Sequence, residues 1–108
     1  MLVLFDQGTP VPLRSFLTGH TVKTAAQQGW SQLSNGDLLR AAEAAGFEVL
    51  LTTDKNLPFQ QSLKDCKIAI VVIGNPQWPV ARLHISSIAG AVNAATPGSY
   101  VVVEIPTG

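Results

Sequence analysis

The chain has 108 residues, of which 46% are hydrophobic and 13% charged, with seven basic and seven acidic side chains that cancel. That length serves one domain spanning residues 1–108, and a charged share about half the ~25% of ordinary globular chains argues against disorder. Zero net charge argues against a dedicated binder of long duplex nucleic acid, which carries a basic excess, and leaves local basic patches open.

Leu2–Phe5 is a continuous apolar run that reads as a central strand buried on both faces. Asp6-Gln7-Gly8 ends it, and Thr9-Pro10-Val11-Pro12 opens a helix with Leu13, Phe16 and Leu17 on one side, stopped by Gly19. His20–Thr24 is a second strand around Val22, and Ala25–Trp30 holds one turn closed by Gly29. Ser34 or Asn35 caps a helix over residues 37–45, with Leu38, Ala41, Ala42 and Ala45 inward and Gly46 as its stop. Glu48–Thr53 is the third strand and delivers Asp54. Leu57–Leu63 reads as a short helix, and Lys67–Ile73 as a β-branched fourth strand. Val80–Ala95 reads as the longest helix, with Ala81, Ile85, Ile88, Val92 and Ala95 as its stripe, and Tyr100–Ile105 as the fifth strand. This β-α alternation predicts an α/β fold with a five-stranded, mainly parallel sheet between helix layers.

The single cysteine, Cys66, permits no internal disulfide and no thiolate metal cluster, which fits a reducing compartment. The opening MLVLFDQ lacks a basic leader, and the longest apolar runs fall short of the ~20 residues that span a bilayer. A soluble cytoplasmic protein with no membrane partner is the expectation. A neutral chain with apolar faces is prone to self-association, so a homodimer is expected among its assemblies.

In a parallel sheet every strand ends on one edge, and right-handed crossovers start their helices there. Asp6 follows strand one, Asp54 follows strand three, and Asp37 opens the helix before strand three. All three therefore fall on one rim, and Asp6 faces Asp54 if strands one and three are neighbours. Three carboxylates without a paired histidine or cysteine suit a hard cation, Mg²⁺ or Mn²⁺, able to bind phosphate and activate water. Each acid also has a plainer role: Asp6 and Asp54 as turn residues and Asp37 as a helix-start residue favoured by the macrodipole. His20 and His84 read as structural or surface residues, and Trp30 and Trp78 either pack over a core edge or stack on a base.

The run Leu2–Gln7 with Pro12, then Gly19–Val22, Gly29-Trp30, Asn35–Leu39, and above all Thr52-Thr53-Asp54-Lys55-Asn56-Leu57-Pro58-Phe59-Gln60-Gln61, resembles small stand-alone PIN-like domain proteins over the first three quarters of the chain. The resemblance implies a three-layer α/β/α fold and a metal-dependent endoribonuclease, with an antitoxin protein as partner where the nuclease is a toxin. It assigns Asp6, Asp37 and Asp54 as catalytic and metal-holding acids, with Gln7, Asn35, Lys55, Asn56, Gln60 and Gln61 at the site rim. Gln7 and Asn56 stand where many relatives carry further acids, which lowers the charge available to a divalent ion. A binding or regulatory module that keeps the fold without catalysis is the alternative. A phospho-receiver ranks below both, because Gly74-Asn75 and Glu104-Ile105-Pro106 replace the hydroxyl and lysine it needs after strands four and five.

Overall fold

The computed structural model describes residues 1–54, 67–75 and 77–105. Its strands are β1 (Leu2–Phe5), β2 (Thr21–Thr24), β3 (Val49–Thr52), β4 (Ala69–Ile73) and β5 (Tyr100–Val103). They form a five-stranded sheet in the order β2-β1-β3-β4-β5, and every neighbouring pair is parallel. This is one of the common doubly wound orders, and its switch point lies beside β1, where the chain reverses direction across the sheet. The helices are α1 (Asn35–Ala44), α2 (Trp78–Ala81) and α3 (Ile85–Asn93), with 3₁₀ segments at Val11–Phe16 and Arg82–His84.

Alternation along the strands divides the core into two layers. Val3, Phe5, Val49, Leu51, Val71 and Ile73 point to one face and meet Leu13, Leu17, Ala81, Ile88 and Val92. Leu4, Leu50, Ile70 and Val72 point to the other and meet Leu38, Leu39, Ala42 and Phe47 around α1. A sheet filled on both faces needs strands that are apolar throughout, which β1, β3 and β4 supply. Each fully buried Leu or Ile contributes about 1.5–3 kcal/mol relative to exposure. Both tryptophans close edges of this core: Trp30 meets Phe47 edge-on at 5.9 Å, and Trp78 meets Phe16 tilted at 6.1 Å.

Three local expectations change. The segment after Pro10 is 3₁₀ and not α: its six residues close with i→i+3 bonds such as Leu13 N–H to Pro10 C=O and Leu17 N–H to Arg14 C=O. The helix expected over 80–95 is split by the 3₁₀ turn Arg82–His84, for which the local residues offer no physical reason, and α1 at ten residues is longer than α3 at nine. Its stripe survives the break, since Ala81, Ile88 and Val92 are buried and Ile85 and Ala95 pack on the same layer. In α1 the inward set is Leu38, Leu39 and Ala42, while Ala45 lies exposed just past the last turn. The helix expected over 57–63 and Cys66 lie outside the described residues.

Candidate functional site

The β1–β3 register pairs Phe5 with Leu51, so the next residue of each strand, Asp6 and Thr52, emerges side by side at the C-terminal rim. The Asp6 N–H donates to the Leu51 carbonyl at 3.2 Å and extends the ladder one step. The Asp6 carboxylate is held from three sides. Its Oδ1 accepts the Gly8 N–H at 3.2 Å and the Thr9 hydroxyl at 2.8 Å, and its Oδ2 accepts the Thr52 hydroxyl. Thr52 Oγ1 in turn accepts the Asp54 N–H at 3.1 Å. One hydroxyl thus links the Asp6 carboxylate at the end of β1 to the main chain of Asp54 after β3. The β1–β3 pairing on which the expected neighbourhood of Asp6 and Asp54 depends is present.

Thr9 and Thr52 are the residues the sequence reading missed. Both are buried, at 3% and 0% exposure. A buried hydroxyl needs a partner, and Thr52 closes an otherwise apolar strand, so an uncharged polar residue at a strand end was the available signal. Thr9 Oγ1 also lies 2.7 Å from the Leu51 carbonyl, so its one proton is shared between two acceptors. The loop between β1 and the 3₁₀ segment runs tight against this strand end: a Cβ on Gly8 would fall 2.5 Å from Thr53 Oγ1.

Asp6, Gln7 and Ala25 form the shared wall of two clefts. One, of about 290 Å³, is bounded by Thr9, Val11, Thr24, Ala25 and Ala26. The other, of about 130 Å³, is bounded by Gly8, Ala25, Trp30, Ser31, Leu33 and Leu38. Gln7 is exposed at the mouth of both. A further cavity of about 370 Å³, with Met1, Phe47, Glu48 and Ile68 in its wall, is made by other residues altogether and holds none of the three acids.

Asp37 is held by partners on its own helix. It sits on the first turn of α1, exposed, where Ser34 caps the helix by accepting the Asp37 N–H and donating to Asp37 Oδ2. Its other oxygen is bonded by Arg40 one turn on. Arg40 first, and then Ser34, hold the Asp37 carboxyl below the usual carboxylate range. The α1 residue that reaches the cleft is Leu38. Among the described residues no three His, Cys, Asp or Glu side chains are grouped to hold a metal ion. Of the rim residues, Asn35 opens α1, and Lys55, Asn56, Gln60 and Gln61 lie outside the described residues. His20 is structural: Nδ1 lies 3.0 Å from the Met1 amine and Nε2 contacts Asn93 Oδ1.

The donor chemistry at the β1–β3 rim is oxygen only, which suits a hard cation in kind. A carboxylate offers about four lone-pair positions, and Gly8, Thr9 and Thr52 occupy three of those on Asp6. One lone-pair position of Asp6 is left for an ion, and its donor type fits Mg²⁺ or Mn²⁺. No family model, curated protein or solved structure matches the chain. Among the described residues no helix is long and apolar enough to cross a membrane.

Proposed function

We propose that the chain is a PIN-like domain whose acidic rim serves metal-dependent hydrolysis of RNA phosphodiesters, with Asp6 and Asp54 as the carboxylates that would hold Mg²⁺ or Mn²⁺. The observation that carries this reading is the Thr52 hydroxyl at the switch point of a parallel sheet, which donates to the Asp6 carboxylate and accepts the Asp54 main-chain N–H. When bound there, the ion would supply charge neutralisation for the phosphate and an activated water. Thr9 and Thr52 keep the Asp6 carboxylate in one orientation, the preorganisation a reacting site needs. Gln7 presents an uncharged amide donor to a phosphate oxygen at the cleft mouth. Asp37 acts as a helix-start residue in this scheme and leaves the catalytic set. A cytoplasmic toxin with an antitoxin partner belongs to the same proposal and is supported by the sequence resemblance alone.

A second reading, a PIN-like binding module without catalysis, is favoured by one observation: no three-acid group assembles among the described residues. The test is cleavage of single-stranded RNA with Mg²⁺ or Mn²⁺, comparing the wild type with Asp6→Asn, Asp54→Asn and Asp37→Asn. The first reading expects cleavage that both rim variants abolish and Asp37→Asn retains. Cleavage undiminished in Asp6→Asn and Asp54→Asn refutes the metal site. RNA binding without cleavage in the wild type selects the second reading.

A further inference from the structure

The end of the sheet formed by β5 is built differently from the end formed by β2. At the β2 edge the exposed Lys23 guards against strand addition. The β5 edge, Tyr-Val-Val-Val, carries no charge, and Tyr100 and Val101 are 39% and 42% exposed. Among the described residues β5 pairs only with β4. The Ser99 and Val103 carbonyls accept N–H groups of the β4 side at 2.9 Å each, so the odd-numbered residues turn their main chain inward. Alternation then turns the N–H and C=O of Tyr100 and Val102 outward, off the edge of the sheet.

We propose that β5 pairs antiparallel with β5 of a second copy of this chain about a two-fold axis at Val101, which joins the two sheets into one. The outward groups of Tyr100 meet those of Val102 in the second copy, and the reverse, as two hydrogen-bonded pairs flanking a close Val101–Val101 pair. The occupant is a second copy because the edge is self-complementary in this register. Tyr100 lies against Val102 on one face, the two Val101 side chains meet on the other, and Glu104 falls opposite Gly98 and not opposite itself. The cancelled net charge removes long-range repulsion between copies. An edge of four residues places the assembly among small interfaces, so the dimer is reversible and forms as concentration rises.

The test measures mass by sedimentation over a concentration series, together with oxidative crosslinking in a Cys66→Ser background. The wild type is expected to move from one to two chain masses. Val101→Cys is expected to form a disulfide dimer, because the close antiparallel pair brings its Cα atoms within bonding reach. Leu83→Cys, at a position 70% exposed and away from β5, serves as the collision control. Val102→Pro removes one outward N–H, and Tyr100→Lys adds an edge charge. Each is expected to weaken dimerisation at least tenfold with folding checked by thermal melting, and the two together cover the case in which one variant fails to fold. A wild type that stays monomeric at its highest soluble concentration overturns the proposal. So do crosslinking of Val101→Cys no faster than Leu83→Cys, and open-ended assemblies larger than two chains.

Discussion

Replacing Thr52 by Val tests the hydroxyl that links the Asp6 carboxylate to the main chain of Asp54. Valine keeps the shape and the strand preference of threonine and removes the Oγ1. Two interactions vanish together: the hydroxyl bond to the Asp6 carboxylate and the acceptor for the Asp54 N–H. A hydrogen bond to a charged group contributes ~1.5–3 kcal/mol, and an orphaned backbone N–H costs ~1–3 kcal/mol where water cannot replace its partner. Thr52 is fully buried, while Asp6 is partly exposed and keeps Gly8 and Thr9, so water and the remaining donors recover part of the loss. The expected net destabilisation is about 2–3 kcal/mol. Urea unfolding at neutral pH with linear extrapolation measures it, and Thr52→Ser, which retains the hydroxyl, is expected to lose only the buried methyl, about 1 kcal/mol. In a double-mutant cycle with Asp6→Asn the pair should couple by about 1–2 kcal/mol. A loss below ~0.5 kcal/mol for Thr52→Val, or a coupling indistinguishable from zero, refutes the bridging role, since contacting residues should exceed that additivity limit.

Gly74 follows β4, and a Cβ there would fall 2.9 Å from the Val103 carbonyl and 3.2 Å from the Ile105 N–H nitrogen. Both obstacles are backbone, so Gly74→Ala is expected to destabilise by about 1–3 kcal/mol in chemical denaturation, through a forced shift of β5 away from β4. Leu50→Ala, at a fully buried central position, is expected to lose about 2–5 kcal/mol with an unchanged urea m-value. Asp37 has its carboxyl lowered on folding, so its contribution is present at neutral pH and disappears as pH falls through the lowered value. The stability gap between the wild type and Asp37→Asn should therefore close in acid, and should shrink at high salt because the Arg40 pair is exposed. A pH-independent gap in denaturation midpoints would contradict that assignment.

The architecture was readable because parallel sheets buried on two faces demand apolar runs, and the chain writes them plainly at Leu2–Phe5, Val49–Thr52 and Ala69–Ile73. Handedness then placed Asp6 and Asp54 on one rim, and the observed β1–β3 pairing meets the condition set for their neighbourhood, with Thr52 between the Asp6 carboxylate and the Asp54 N–H. Helix continuity was less readable. Proline at Pro12 signals a helix start for either helix type, so it does not reveal the choice of 3₁₀. The break at Arg82–His84 leaves the apolar stripe intact, so periodicity alone could not reveal it. The site was half readable for a similar reason: side-chain charge marks an acid, but its partners decide what the acid does. Ser34 and Arg40 stand at the spacings that hold an acid on a helix start, and they claim Asp37.

That claim bears on how the rim stays stable with its carboxylates. Acids sharing one site repel and shift one another unless a cation or hydrogen-bond donors offset the charge. Here the offset comes from the protein itself: Gly8, Thr9 and Thr52 donate to Asp6, Arg40 neutralises Asp37, and Gln7 adds an amide in place of a charge. An ion held by Asp6 and Asp54 would have to find its affinity in the lone pairs those donors leave open, with fewer charges than a three-acid centre supplies. The same donors that weaken such an ion's hold keep Asp6 oriented toward the cleft, so Thr52 can be tested for orientation and Asp54 for charge without confusing the two.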